Sequence, residues 1–292
     1  MKLLRYGAPK HEKPGLLDSE GAIRDLSGHI EDISPRTVTP QSLARLAALN
    51  SKELPLVGGA PRLGVPVGGI GKFIAIGLNY ADHAKEANLP IPTEPPMFTK
   101  AISCLNGPND DVMLPKDSVK SDWEVELGVI IGGTARYVGE DEALDLVAGY
   151  VLANDVSERA FQLERGTQWD KGKGCDTFGP VGPWLVTADE VGDPQNLEMF
   201  LNLNGRRMQT GNTRRMIFPV RQLIAYVSRF MTLVPGDLLI TGTPPGVGMG
   251  HKPNPTFLAV GDEMHLGIEK LGEQRQKVAA WRHLGDDGSE NQ

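Results

Sequence analysis

The run Asp122-Trp-Glu-Val-Glu126, continuing to Ile131, decides how the rest of the chain is read. On an extended strand alternate side chains share a face. Glu124 and Glu126 then point one way, while Trp123, Val125, Leu127, Val129 and Ile131 enter an apolar layer. Two carboxylates held side by side repel each other, so one takes up a proton or a cation lies between them. A second apolar run, Gly149-Tyr-Val-Leu-Ala-Asn154, reads as a strand ending at Asp155. Three carboxylates at strand positions make an oxygen-ligand set suited to Mg²⁺, Mn²⁺ or Ca²⁺. Spacing alone leaves a second reading open, in which Glu-Val-Glu is the solvated face of an edge strand.

The 292 residues suffice for one large domain or two. Charged residues at 23% and hydrophobic residues at 40% are those of an ordinary globular protein. A net charge of −7 without any basic block points away from nucleic acid. The 35 glycines and 22 prolines indicate many turns and a β-rich body. No apolar stretch follows Met1-Lys-Leu-Leu-Arg-Tyr6 as a signal peptide requires, and no run reaches the ~18–20 apolar residues of a membrane span. Cys104 and Cys175 are too few for a disulfide framework. The expected compartment is the cytosol, where thiols stay reduced.

Along the chain, Lys2–Tyr6 reads as a strand, and 15–26 as a hairpin. Thr39 N-caps a helix that starts at Pro40, with Leu43, Leu46, Ala47 and Leu49 as its apolar stripe. Residues 51–71, rich in Gly and Pro, link this region to a larger body. Residues 72–77 form a short buried strand, followed by a small helix over 83–88. A short helix is predicted over 141–147, and Ser157 is placed as the N-cap of a helix through Arg165. Asn204-Gly205 is the preferred pair for a type I′ hairpin. Pro219 to Phe230 is an amphipathic helix burying Leu223, Ile224, Val227 and Phe230. Residues 263–268 and 276–281 close the chain as a hairpin. The Gly-rich stretch 242–250 lacks a nucleotide-binding fingerprint and reads as a stiff turn presenting Thr243 to a pocket.

Three further groups can do chemistry. His83 and Glu86 are three apart on a helix, where a carboxylate orients an imidazole as an acid/base partner. Lys171 and Lys173 sit in a glycine-rich loop, and such a lysine can stabilise an enolate oxygen. Arg159 and Gln162 share a helix face just after Asp155, where an arginine can clamp a carboxylate. Each also fits an ordinary surface pair or loop. Cys175 reads as a small packed thiol.

Five separated tracts resemble the fumarylacetoacetate hydrolase superfamily: Gly77-Leu-Asn-Tyr-Ala-Asp-His83, Asp122-Trp-Glu-Val-Glu-Leu127, Asn154-Asp-Val-Ser-Glu-Arg159 with Gln162, Lys171-Gly-Lys173 with Asp176-Thr-Phe-Gly-Pro180, and Leu239-Ile-Thr-Gly-Thr-Pro-Pro-Gly-Val-Gly248. The resemblance spans roughly residues 70–282. Residues 1–70 resemble the small N-terminal domain of its bacterial branch. It implies an α+β, β-rich fold, a mixed β-roll or β-sandwich-like barrel over 71–284, with the small α/β domain before it. The tail 285–292 is expected to be disordered. The resemblance also implies a homodimer and a divalent cation, commonly Mg²⁺ with Mn²⁺ or Ca²⁺ as substitutes, held by Glu124, Glu126 and Asp155. By the same resemblance His83 and Glu86 lie on a lid-like helix, Lys173 faces the enolate, and Arg159, Gln162 and Thr243 contact substrate. The family's Gly-Lys-Ser-Phe-Asp is here Gly-Lys-Gly-Cys-Asp, which alters pocket shape and leaves the ligands alone.

The implied chemistry is hydrolysis of the C3–C4 bond of a 2,4-diketo acid. Products are pyruvate and a second carboxylic acid, with a 2,4-diketo-3-deoxy sugar acid as the first substrate candidate. The same enolate chemistry also serves oxaloacetate decarboxylation, isomerisation of a hydroxydienedioate, or a ureidoglycolate lyase. A β-rich scaffold binding a structural Ca²⁺ is the non-enzymatic alternative.

Overall fold

The computed structural model describes residues 1–86 and 88–283, so the expected tail 285–292 lies outside the described residues. Two sheets build the body. The larger has nine strands in the order Ile23–Asp25, Lys13–Leu17, Lys2–Tyr6, Leu185–Thr187, Val147–Asn154, Val125–Ile131, Leu238–Ile240, Phe73–Ile76, Met97–Thr99. The smaller runs Arg206–Asn212, Glu198–Leu203, Glu263–Ile268, Gly272–Ala279, Val112–Met113. Both are mixed, because Leu238–Ile240 pairs parallel with Phe73–Ile76 and Gly272–Ala279 pairs parallel with Val112–Met113. The β-rich α+β architecture is therefore present, and the nine-stranded sheet stays open rather than closing into a barrel.

Val125–Ile131 lies between Val147–Asn154 and Leu238–Ile240, so it is a central strand and not an edge. All seven of its residues are buried, which leaves no solvated face for a Glu-Val-Glu pair. The register sets Glu126 opposite Ala153 and Val125 opposite Asn154. Glu124 itself lies outside the ladder, contrary to the simple alternation read from the sequence. The strand breaks at Trp123-Glu124 because Glu124 N–H donates to the Asn154 side chain at 3.2 Å and Glu124 C=O accepts from Asp155 N–H at 2.9 Å. That exchange of bonds brings Glu124 and Asp155 together.

Buried glutamines stitch the two sheets. Gln209, Gln274 and Gln276 are wholly inaccessible. Gln209 accepts from Val125 N–H at 3.0 Å and donates to Thr243 Oγ1 at 2.9 Å, and Gln274 donates to Leu152 C=O at 2.9 Å. Gln276 accepts from Asn154 at 3.2 Å. Each bond satisfies a polar group that would otherwise be stranded in the core.

Local expectations hold in outline, with instructive departures. Thr39 caps Pro40–Ala47, but the stripe is narrower because Ala47 is exposed. Asn204 and Gly205 take φ of 50° and 77°, as a type I′ turn requires. The helix Val220–Val227 ends before Phe230, which is 60% exposed. The turn over Ala143–Leu146 is a 3₁₀ helix. The last hairpin pairs Glu263–Ile268 with Gly272–Ala279, so the second strand starts at Gly272, earlier than expected. Ser157 does not cap the following helix. Its hydroxyl donates to Asp155 C=O at 2.9 Å, and the Glu158 carboxylate caps Arg159–Leu163 by accepting from Ala160 N–H. Among the described residues no helix is long and apolar enough to cross a membrane.

Candidate active site

Glu124, Glu126 and Asp155 each offer a carboxylate oxygen within 4.8 Å of the others, and all three residues are buried. Two cations from the next segments hold Glu124. Arg159, at the start of its helix, donates to one Glu124 oxygen at 2.5 Å, and Lys173 Nζ donates to the other at 2.7 Å. Lys173 also bridges to Asp155 Oδ2 at 2.6 Å. It lies on a short helix, Asp170–Lys173, rather than in an open loop, and is only 2% exposed. Lys171 is exposed and donates to Arg165 C=O.

The electrostatics divide the two glutamates. Burial pushes the Glu124 carboxyl up, but the adjacent Arg159 and Lys173 outweigh it and hold the group at about 2. Burial raises Glu126 well above the usual carboxylate range, and the charges of Asp155 and Glu124 add to the rise. Its hydrogen bond from Gly242 N–H, at 2.7 Å, is too weak an offset. Lys173 is held protonated: burial opposes its charge, while Asp155 and Glu124 more than compensate. The donor set fits a hard divalent cation, since three clustered carboxylates are the ligands such an ion takes and Glu126 ionises readily only if positive charge arrives beside it. A cation placed there would favour the ionised form of Glu126 and so compete with a proton for it. Affinity for Mg²⁺ in titration calorimetry should therefore rise with pH, by at most about tenfold per unit, while Glu126 remains the protonated partner. A flat profile would contradict the assignment.

Two residues that the sequence reading passed over complete the floor. Asp122 accepts from Arg159 Nε at 2.9 Å, from Gly248 N–H at 2.7 Å and from Met249 N–H at 3.1 Å. It thereby fixes the arginine against the 242–250 loop. Lys100 donates to Asp155 Oδ1 at 2.6 Å. Nothing in the local pattern around Asp122 signals its partners in the 242–250 loop. Lys100 closes a Pro-rich segment whose partner lies 55 positions away, and no local spacing signals that pairing.

A cavity of about 130 Å³ opens over these groups. His83, Glu124, Glu126, Asp155, Arg159, Gln162, Lys173 and Thr243 line it, and Glu86 stands behind His83. Gln162 accepts from Arg159 at 3.1 Å. The remaining walls are apolar, chiefly Leu78, Leu89, Phe98, Leu163, Trp169 and Met249. Thr243 Oγ1 donates to Val125 C=O at 2.9 Å, so one lone pair is left for a ligand once Gln209 is counted. Cys175 is half-buried, donates to Lys171 C=O, and burial pushes its thiol up to about 11, which leaves it a poor nucleophile.

His83 and Glu86 share the helix Ala81–Glu86, with Nδ1 and Oε2 3.1 Å apart. The 242–250 loop seats the pair. Gly246 N–H donates to both Glu86 oxygens at 3.0 and 3.2 Å, while Trp123 Nε1 donates to Gly246 C=O at 3.1 Å. A Cβ at Gly250 would stand 2.6 Å from the Glu86 carboxyl carbon. Gly250→Ala should cost little stability, since only the end of a side chain must move. It should lower kcat about tenfold or more, because a misplaced acid/base group forfeits its alignment. Equal kcat in a folded variant would show that the seat is irrelevant.

Comparison with known proteins places the chain in a family. The family model described as fumarylacetoacetate (FAA) hydrolase, C-terminal, matches residues 72–279. The chain is 66% identical over 287 residues to a 2,4-didehydro-3-deoxy-L-rhamnonate hydrolase of Sphingomonas sp. (strain SKA58), covering 98% of this chain and 99% of that one. The solved fumarylacetoacetate hydrolase of Exiguobacterium antarcticum superposes with a TM-score of 0.83 at 34% identity, covering 96% of this chain and all of that one. The maleylpyruvate hydrolase of Sphingobium sp. SYK-6, solved with manganese(II) and pyruvate, superposes at 0.80 with 30% identity, covering 97% of this chain and 100% of that one. On the family match and these relatives, the chain belongs to the fumarylacetoacetate hydrolase family and is an enzyme of its hydrolase type.

Proposed function

We propose that this enzyme hydrolyses the C3–C4 bond of a 2,4-diketo acid to pyruvate and a second carboxylic acid, with a 2,4-diketo-3-deoxy sugar acid as natural substrate and Mg²⁺ as its cation. One observation carries the reading: a carboxylate triad, a buried charged lysine and a His–Glu pair meet at a single cavity. The name of the Sphingomonas relative and the pyruvate in the Sphingobium structure support it.

Glu124, Glu126 and Asp155 would hold the cation, which when bound supplies Lewis-acid polarisation of the 2-oxo acid end. Arg159 and Gln162 would orient the substrate carboxylate, the arginine being already fixed by Asp122. Thr243 would offer the remaining lone pair of its hydroxyl oxygen to a donor on the chain beyond. The His83–Glu86 pair takes a proton from water, and the hydroxide adds to C4. The C3–C4 bond then breaks, its electron pair passing to C3 as the pyruvate enolate. The Lys173 ammonium faces the enolate oxygen and stabilises its charge. The proton taken from water returns to C3, so water's oxygen ends in the second acid.

The test is a panel of 2,4-diketo acids and oxaloacetate with purified protein and Mg²⁺, following pyruvate and CO₂ separately. Pyruvate release from a diketo acid, without CO₂, is the expected result. CO₂ from oxaloacetate with no diketone turned over would replace hydrolysis by decarboxylation.

A further inference from the structure

Lys100 follows the strand Met97–Thr99 and is 2% exposed, yet it is absent from the cavity wall. A buried ammonium is retained only when its donors are spent on good acceptors. Its Nζ donates to Asp155 Oδ1 at 2.6 Å, to Val156 C=O at 3.3 Å and to the backbone C=O of Lys173, which uses all three donors. It also sits 5.8 Å from the Phe73 ring centroid. Asp155 is thus divided between two lysines. Oδ1 belongs to Lys100 on the interior side, and Oδ2 to Lys173 on the cavity side.

We infer that Lys100 is a positioning residue that makes Asp155 a single-oxygen ligand and, through the Lys173 carbonyl, fixes the backbone from which the Lys173 side chain reaches the site. The inference rests on the metal-site reading above. Its consequence is cation choice. Mg²⁺ demands compact octahedral geometry from single oxygens, whereas Ca²⁺ takes six to eight and accepts carboxylates through both. With Oδ1 engaged, Asp155 favours the smaller ion. Removing the Lys100 charge shifts the affinity for any divalent ion in the same direction. The ratio of Ca²⁺ to Mg²⁺ affinity therefore isolates the geometric effect.

The experiment is titration calorimetry of the metal-free full chain, wild type and Lys100→Met, with each ion alone. The Ca²⁺:Mg²⁺ affinity ratio should rise about tenfold in the variant. A folded variant with the wild-type ratio overturns the role of Lys100. If Lys100→Met does not fold, Mn²⁺-soaked crystals of the wild type decide: Asp155 bound through Oδ2 alone, with Lys100 on Oδ1, upholds the inference. Chelation through both oxygens, or a displaced Lys100, overturns it. A wild type that binds neither ion removes the metal-site reading itself, a failure distinct from an unchanged ratio.

Discussion

Lys173→Met is expected to lower kcat by about 10²–10³-fold while leaving affinity for a divalent cation undiminished. Methionine nearly matches lysine in length, so packing beside Phe98 survives the change. What disappears is the ammonium that bridges Glu124 at 2.7 Å and Asp155 at 2.6 Å and lines the cavity. In a water-poor site such a charge acts mainly on negative charge that develops during reaction, which here is the enolate. A divalent cation meets less opposing positive charge in the variant, so it should bind at least as tightly. Steady-state kinetics and titration calorimetry separate these effects. A kcat within about threefold of wild type would strip Lys173 of its role.

Glu126→Gln is expected to abolish turnover and weaken Mg²⁺ binding by about 100-fold or more, with the fold retained. Glutamine keeps the acceptor for Gly242 N–H but cannot carry the ligand charge. The metal-free protein should even gain from the change as pH rises. The folded Glu126 carboxyl lies well above its unfolded value, so its favourable contribution is complete below the ordinary carboxylate range. That contribution is lost as pH climbs through the raised folded value. The neutral variant escapes that loss. Denaturant melts of chelated protein at a series of pH values should show wild type falling relative to Glu126→Gln. Divergence in the opposite direction would refute the burial and like-charge origin of the shift.

The central strands were legible because the runs Val125–Ile131 and Val147–Asn154 are mostly apolar, which favours burial. The clustering of Glu126 and Asp155 follows from where those runs begin and end. Strand alternation does not account for Glu124: it leaves the ladder, and the Asn154 side chain fixes its backbone. Interactions across long separations left no local trace. Lys100 with Asp155, Asp122 with Gly248, and Gln209 with Val125 join positions 55, 126 and 84 apart, and only the tertiary fold brings them together. The readings of Arg159 as a surface salt bridge and of Lys173 as a solvated loop residue fail on burial, since both are at most 5% exposed. A helix-face pattern gives the direction of a side chain but not what covers it.

The most direct test is to strip the enzyme with a chelator, supply one 2,4-diketo acid, and quantify both products before and after adding Mg²⁺. No release is expected without the ion, and equimolar pyruvate and second carboxylic acid with it. Undiminished turnover in the stripped protein, or pyruvate without its partner acid, would contradict it.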